Sequence, residues 1–231
     1  MFKRLLLLLL VAFAACATPG PALKGGQLDS SSGSVEDLTA KTVALVVPRI
    51  DMRVRAYCSG VWVSSKAILT AHHCIEKKTG EVYYVTKDQV LDAEGEEKIG
   101  PKVGIAHIVA QDADHDLALL TAEDPPAHGI AQVALSGIVP GAKVSTMGHP
   151  FGLWYSYSAG HIAAIRIMDL EPMAIYVQTT APTSKGNSGC GLFNEQGGLV
   201  GIAHAGIPMG SNLAFYVHAT HVHDFLKGAL K

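Results

Sequence analysis

From Lys41 onward the chain breaks into about a dozen short apolar or alternating runs, each closed by Gly, Pro or Asp. The runs fall at 42–47, 57–63, 66–69, 82–85, 103–108, 117–121, 143–147, 155–165, 174–178, 191–193, 199–203 and 213–217. Runs this short are strand-sized, too brief for the 3.6-residue periodicity of a packed helix to develop. So many short strands with few helices to cover them must bury their faces on one another, which closed or paired β-barrels achieve. The expected class is all-β. At 231 residues and 48% hydrophobic content, one large domain with a sizeable core is expected and a second full domain is not. The sole helical pattern is at the end: Thr220 as a cap, Val222, Phe225 and Leu226 on one side, and Gly228 as a stop. No internal repeat or heptad occurs, and no G-x-G-x-x-G opens a helix, which argues against nucleotide chemistry.

Before Lys41 the texture differs. Residues 1–15 carry a basic start (Lys3, Arg4), an apolar run from Leu5 to Val11 and small residues Ala14 and Ala15. That is the pattern of a secretory signal, and the run falls short of the roughly 20 residues a membrane-spanning helix requires. Cleavage before Cys16 would leave 16 basic and 20 acidic side chains, a net charge of −4. With no basic patch or aromatic–basic interleaving, nucleic acid is not an expected partner. Residues 17–41 are rich in Gly, Pro and Ser and read as a flexible tether with a span on the order of 25–30 Å. Phe13-Ala14-Ala15-Cys16 resembles the lipobox of bacterial lipoproteins. That resemblance implies lipidation of Cys16 and, with Ala17 next, an outer-membrane location facing the periplasm; plain secretion is the alternative.

The chemistry-bearing residues lie in three segments. Gly186-Asn187-Ser188-Gly189 sets a serine among glycines, where a hydroxyl and free backbone N–H groups can be exposed together. Alone it reads equally as a turn. Serine is a poor nucleophile without an adjacent base, and histidine suits that role because its pKa lies near 6.5. The N–H groups of Gly186 and Ser188 are the candidate donors to the oxyanion that such an attack creates. His72 and His73 both remain candidate bases on chemistry alone. Asp112, Asp114 and Asp116 compete as the acid and, with Glu123, imitate a calcium loop, but Leu117 stands where that loop requires glycine. Asp112 and Asp114 read as solvated loop charges.

Thr70-Ala71-His72-His73-Cys74, Asp116-Leu117-Ala118-Leu119-Leu120 and Gly186-Asn187-Ser188-Gly189 together resemble the catalytic segments of chymotrypsin-like serine proteases. The resemblance assigns the base to His73, the orienting acid to Asp116 and the nucleophile to Ser188. It further implies two six-stranded antiparallel β-barrels, at about 42–125 and 138–218, with the site between them and a short C-terminal helix. It pairs Cys58 with Cys74 in a disulfide, leaving Cys190 as a free buried thiol. Gly148-His149-Pro150-Phe151-Gly152-Leu153 and the tail Asn194 to Ile202 narrow the likeness to the HtrA/Deg proteases. That similarity runs from about Lys41 to Leu226, with no PDZ domain following, with Cys190 in place of a glycine and with Lys185 where proline is common.

The resemblance implies a serine endopeptidase of exported or misfolded polypeptides that needs no cofactor or metal, with oligomer formation open. Ala203, His204 and Ala205 are expected to line the primary specificity pocket, which would take a small or medium apolar side chain. His204 reads as a structural or rim histidine there. Asn187 stands where trypsin-type zymogens have the aspartate that binds a new N-terminal amine, so assembly without propeptide cleavage is expected. Two rival readings remain. One is a catalytically inactive, membrane-anchored protease-like binding module, motivated by Cys190 and Lys185. The other is a metal protein built on His218, His221 and His223, although surface histidines without a completing ligand explain that cluster.

Overall fold

The computed structural model describes residues 33–78, 80–168, 173–206 and 213–230. The lipobox and Cys16 lie outside that range. Twelve strands occur among the described residues: β1 (Thr42–Pro48), β2 (Val54–Trp62), β3 (Ala67–Ala71), β4 (Glu81–Val85), β5 (Gly104–Asp112), β6 (Leu117–Ala122), β7 (Lys143–Gly148), β8 (Ser156–Met168), β9 (Ala174–Thr179), β10 (Gly191–Asn194), β11 (Leu199–Gly206) and β12 (Ala214–His218). They close into two antiparallel barrels, ordered β1-β2-β3-β6-β5-β4 and β10-β11-β12-β9-β8-β7. Closure leaves neither sheet with a full-length open edge, the usual solution for a chain of short strands.

Each barrel has its own core. Val43, Leu45, Trp62, Ile68, Tyr84 and Leu120 fill the first, and Val144, Ile162, Val177, Leu192, Val200 and Tyr216 fill the second. A third cluster joins Leu69, Leu117 and Leu119 of the first barrel to Met147, Tyr176, Phe193, Ile202 and Val217 of the second. Buried side chains of this size contribute about 1.5–3 kcal/mol each. The seam between the barrels is therefore an apolar core in its own right, and groups placed on its two sides hold their relative positions.

Among the described residues, three α-helices attach to this frame. The segment 35–41, which composition assigns to the tether, instead forms helix α1 (Val35–Lys41). Ser34 caps it by accepting the Asp37 amide at 3.1 Å, and Lys41 pairs with Asp37 at 2.7 Å. A seven-residue helix is marginal in water; burial of Leu38 in the seam stabilises this one. Helix α2 (Lys87–Val90) is a single turn closed by a capping box between Thr86 and Gln89. Helix α3 (Ala219–Ala229) buries Val222 and Leu226, as its pattern predicts. Its cap is His218 rather than Thr220, the His218 ring accepting the Thr220 amide, and Gly228 lies inside the helix instead of ending it.

Candidate active site

Strand β3 leads directly into a 3₁₀ turn, His72–Cys74. The Cys58–Cys74 disulfide ties that turn to β2, the pairing that the resemblance implies. Facing it, the turn before β6 places Asp116 at φ +55°, a left-handed conformation that aspartate tolerates better than most residues. The His72 amide donates to the Asp116 carbonyl at 3.0 Å. The His73 amide donates to Asp116 Oδ1 at 2.8 Å, and His73 Nδ1 meets Asp116 Oδ2 at 2.8 Å. His73, and not its neighbour His72, therefore holds the carboxylate. An ionised carboxylate can only accept, so Nδ1 carries the proton and Nε2 is left with its lone pair. The Asp116 hydrogen bond raises the His73 pKa above 6.5, against an opposing pull from burial.

Asp116 itself is only 7% exposed. Burial alone would push its carboxyl up, but hydrogen bonds from His204, from the His73 ring and from the His73 amide hold it well below the usual carboxylate range. The His204 contact, Nδ1 to Oδ2 at 2.6 Å, is not legible in the sequence. His204 stands on β11 of the second barrel, and its ring lies 5.1 Å from that of Tyr176. Its imidazole is thus engaged with Asp116. The ligand-capable atoms of His73, Asp116 and His204 all lie within 4.8 Å of one another, a spacing a divalent ion could also use; the hydrogen bonds already account for it.

The loop carrying Ser188 is pinned peptide by peptide. The amides of Asn187, Gly189 and Cys190 donate to Ser184, Ala203 and Asn187 at 2.9–3.0 Å. Among the described residues, the amides of Gly186 and Ser188 have no such partner. The peptide that supplies the Gly186 N–H is fixed from its other end, because Phe151 donates to the Lys185 carbonyl at 2.6 Å. Gly186 has φ +100°, and a Cβ there would collide with the His149 carbonyl oxygen. Glycine is required on both counts.

Ser59 links this loop to the first barrel. Its amide donates to the Ser188 carbonyl at 2.8 Å, and its hydroxyl lies 2.9 Å from both the Gly186 carbonyl and His149 Nδ1. A hydroxyl that donates to the Gly186 carbonyl must accept from His149, which assigns the His149 proton to Nδ1. His149 is fully buried, and burial holds its pKa down to about 3. The Cys74 sulfur packs 3.7 Å from the Ser188 carbonyl oxygen; the disulfide leaves it no S–H to donate. Ser188 therefore sits against the turn that carries His73. No Ser188–His73 hydrogen bond forms among the described residues, a contact that in apo enzymes is often long and tightens once substrate binds.

Other sequence-derived candidates fall as follows. Ala203 is buried with its amide and carbonyl both bonded to the loop carrying Ser188, whereas Ala205 is exposed. Strand β10 pairs with β11 only as far as Ile202, so the stretch from His204 to Gly206 has no strand on that side among the described residues. Asn187 is buried and donates its side-chain amide to Thr183. Cys190 is a free, buried thiol 3.1 Å from Thr146 Oγ1, and burial pushes its pKa up to about 11. Asp112 is not a free loop charge: it holds His115 at 2.8 Å. His221 stacks on His115 and accepts the Ile175 amide, a structural role on helix α3.

Two closed barrels with a histidine–aspartate pair on one side of the seam and a glycine-flanked serine on the other define the chymotrypsin-like class. The chain belongs to the trypsin-like peptidase domain family, whose model matches residues 58–202. It is 30% identical over 186 residues to a probable DegP-like periplasmic serine endoprotease of Rhizobium meliloti, covering 78% of this chain and 34% of that one. It is also 30% identical over 138 residues to the periplasmic serine endoprotease DegP of Salmonella typhimurium, covering 57% of this chain and 29% of that one. The chain thus spans about a third of the length of these curated relatives. Among solved structures, the HtrA-type protease AlgW with a decapeptide superposes with a TM-score of 0.71 at 19% identity, over 87% of this chain and 68% of that one. A serine endoprotease from Yersinia pestis gives 0.65 at 21% identity, over 85% and 65% of the two chains.

Proposed function

We propose that this protein is a serine endopeptidase of exported polypeptides, acting through Ser188, His73 and Asp116. The observation that carries the reading is the pattern of paired and free amides around Ser188. Among the described residues, the Gly186 and Ser188 N–H groups have no partner while those of Asn187, Gly189 and Cys190 are bonded, the arrangement an oxyanion hole requires. In the reaction, Ser188 Oγ attacks the scissile carbonyl as His73 Nε2 takes its proton. The carbonyl oxygen becomes an oxyanion held by the two free N–H groups, and Asp116 stabilises the imidazolium. His73 then returns the proton to the leaving amine, and water releases the acyl group by the same steps.

Substrate backbone fits the free side of β11 at His204–Gly206 by β-augmentation, with Ala205 exposed beside it. The primary pocket is proposed to take a small or medium apolar side chain; His204, committed to Asp116, is not available to bind an acidic one. The periplasmic relatives support an exported location. Within it, residues 1–15 are proposed as the signal, Cys16 as the lipidated residue of an outer-membrane lipoprotein, and residues 42–231 as the protease domain. Loss of membrane partition and of acyl-chain labelling in Cys16→Ala is the expected result; unchanged partition would refute the anchor.

The central test is labelling by a fluorophosphonate and cleavage of unfolded casein by the purified protein, with Ser188→Ala beside it. Wild type should label and cleave, and Ser188→Ala should do neither. A well-folded wild type that does neither would establish the inactive binding module instead.

A further inference from the structure

Two imidazoles and a carboxylate converge on one point of the cleft. His73 Nδ1 lies 2.8 Å and His204 Nδ1 2.6 Å from Asp116 Oδ2, and the ligand-capable atoms of all three lie within 4.8 Å of one another. Such a donor set is what Zn²⁺ takes at three-ligand sites, with water completing the tetrahedron. The hydrogen bonds that set the present spacing depend on two protons, one on each Nδ1, and one divalent ion can replace both. Ligand atoms on a tetrahedral zinc lie about 3.3 Å apart, so Oδ2 must withdraw by about 0.5–0.7 Å. The carboxylate has a pivot for that movement, because Oδ1 is held by the His73 amide at 2.8 Å. Solvent reaches the cluster through its histidines: the His73 and His204 side chains are 42% and 34% exposed, against 10% for Asp116. The buried ring of Tyr176 backs His204 at 5.1 Å and limits its turning, the outer support that ligating histidines use.

We infer that His73, Asp116 and His204 form a reversible, inhibitory binding site for a divalent transition-metal ion of the Zn²⁺ type. Binding stands on the geometry alone; inhibition rests on the reaction proposed above. The ion is an inhibitor, not a requirement. A neutral imidazole ligates through a lone pair, so each Nδ1 releases its proton to water and each Nε2 takes one up. The proton count of each ring is unchanged, and Asp116, already ionised, supplies the charged ligand. His73 Nε2 then carries an N–H and has no lone pair to accept the Ser188 proton. The ion thus acts on the base through its far nitrogen, without touching Ser188, and a chelator reverses it.

The test titrates Zn²⁺ into the full-length protein and reads calorimetric binding, fluorophosphonate labelling rate and, with Co²⁺ as the probe, the visible absorption of a four-coordinate ion. With Zn²⁺ at about 100 times its Kd, labelling of the wild type should slow about 100-fold by mass action, and EDTA should restore it. His204→Ala removes a ligand, which should weaken Zn²⁺ binding by about 100-fold or more, beyond the loss that even an outer-shell change brings. His204→Asn keeps an amide donor toward Asp116 but offers no imidazole, and it decides the matter should His204→Ala fail to fold. Each variant is compared with itself free of metal, so a slower basal rate does not enter. Both variants keep His218, His221 and His223, so binding at that cluster is unaffected. Equal Zn²⁺ affinity and equal slowing in wild type and the folded variants would overturn the inference, as would a wild type that binds no Zn²⁺. A wild type that never labels yet binds Zn²⁺ and Co²⁺ through His204 keeps the metal site and removes the proposed reaction. One that labels and is indifferent to Zn²⁺ removes the inference alone.

Discussion

Ser59 and Ser188 are joined across the seam between the barrels, the Ser59 amide donating to the Ser188 carbonyl at 2.8 Å. The same serine reaches the next peptides through its hydroxyl, which contacts the Gly186 carbonyl and buried His149. A single residue of β2 thus anchors Ser188 and its loop to the barrel that carries His73.

Removing that hydroxyl should therefore cost more than its size suggests. Ser59→Ala leaves His149 Nδ1 and the Gly186 carbonyl without their partner. Stranding the fully buried His149 donor in this way typically costs about 1–3 kcal/mol. Urea unfolding should show a loss in that range, and activity should fall further than stability as the loop loosens. A variant as stable and as active as wild type would contradict the anchoring role.

Gly186→Ala should act on the transition state. Its Cβ would collide with the His149 carbonyl, and φ +100° suits alanine poorly. The loop must shift, taking an oxyanion donor with it, and losing one donor costs on the order of 100- to 1,000-fold in kcat. Steady-state kinetics should place the loss in kcat with KM nearly unchanged.

The pH dependence of activity follows from the His73–Asp116 pair. In the proposed reaction only neutral His73 accepts the Ser188 proton, and Asp116 raises its pKa above 6.5. Activity should therefore rise with pH through an apparent pKa above 6.5 and be lost on the acid side. Asp116→Asn removes the principal cause of the shift, so the acid limb should move to lower pH. The rate should also drop, on the order of 10⁴-fold where an amide imposes the wrong tautomer. A kcat/KM profile of both proteins, measured from acid to neutral pH, checks limb and magnitude together.

Acid sensitivity of the fold has a separate source in His149. Folded, it stays neutral down to about pH 3, whereas an unfolded chain protonates it near 6.5. Between those values the unfolded state binds the extra proton. Stability should therefore fall as pH falls, by up to about 1.4 kcal/mol per pH unit from this group. His149→Asn, which keeps a donor toward Ser59 Oγ, should lose that component of the slope. Urea midpoints at several pH values between 4 and 7 measure the difference, and parallel slopes would exclude His149 as the source.

The Cys58–Cys74 bridge closes a short loop, with a sequence separation of 16. Loops of that length contribute about 3 kcal/mol in the chain-entropy model. Replacing both cysteines by alanine should lower stability by about that amount and slow fluorophosphonate labelling, because the turn carrying His73 loses its brace. Denaturation under non-reducing conditions, compared with wild type, tests this without involving buried Cys190.

Local patterning made the strands legible. Each of the twelve lies within a few residues of its expected run because a period-two or fully apolar run of β-branched residues carries its own preference. Helix α1 was not legible: its stability comes from Leu38 meeting a seam made by residues distant in sequence. Candidate segments around His73, Asp116 and Ser188 were visible because loops that hold special backbone conformations need particular residues, Gly186 foremost. His204 and Ser59 carried no such mark. Their roles are hydrogen bonds of fixed direction between the barrels, and only docking of those barrels sets the distance and angle on which such a bond depends. The sequence by itself therefore determined the strand pattern, the closed β architecture and the short list of reactive residues. The tertiary structure decided which histidine holds Asp116, which amides around Ser188 stay free, and that a second imidazole shares the carboxylate. These are matters of orientation across a packed seam, and a one-dimensional pattern does not encode orientation.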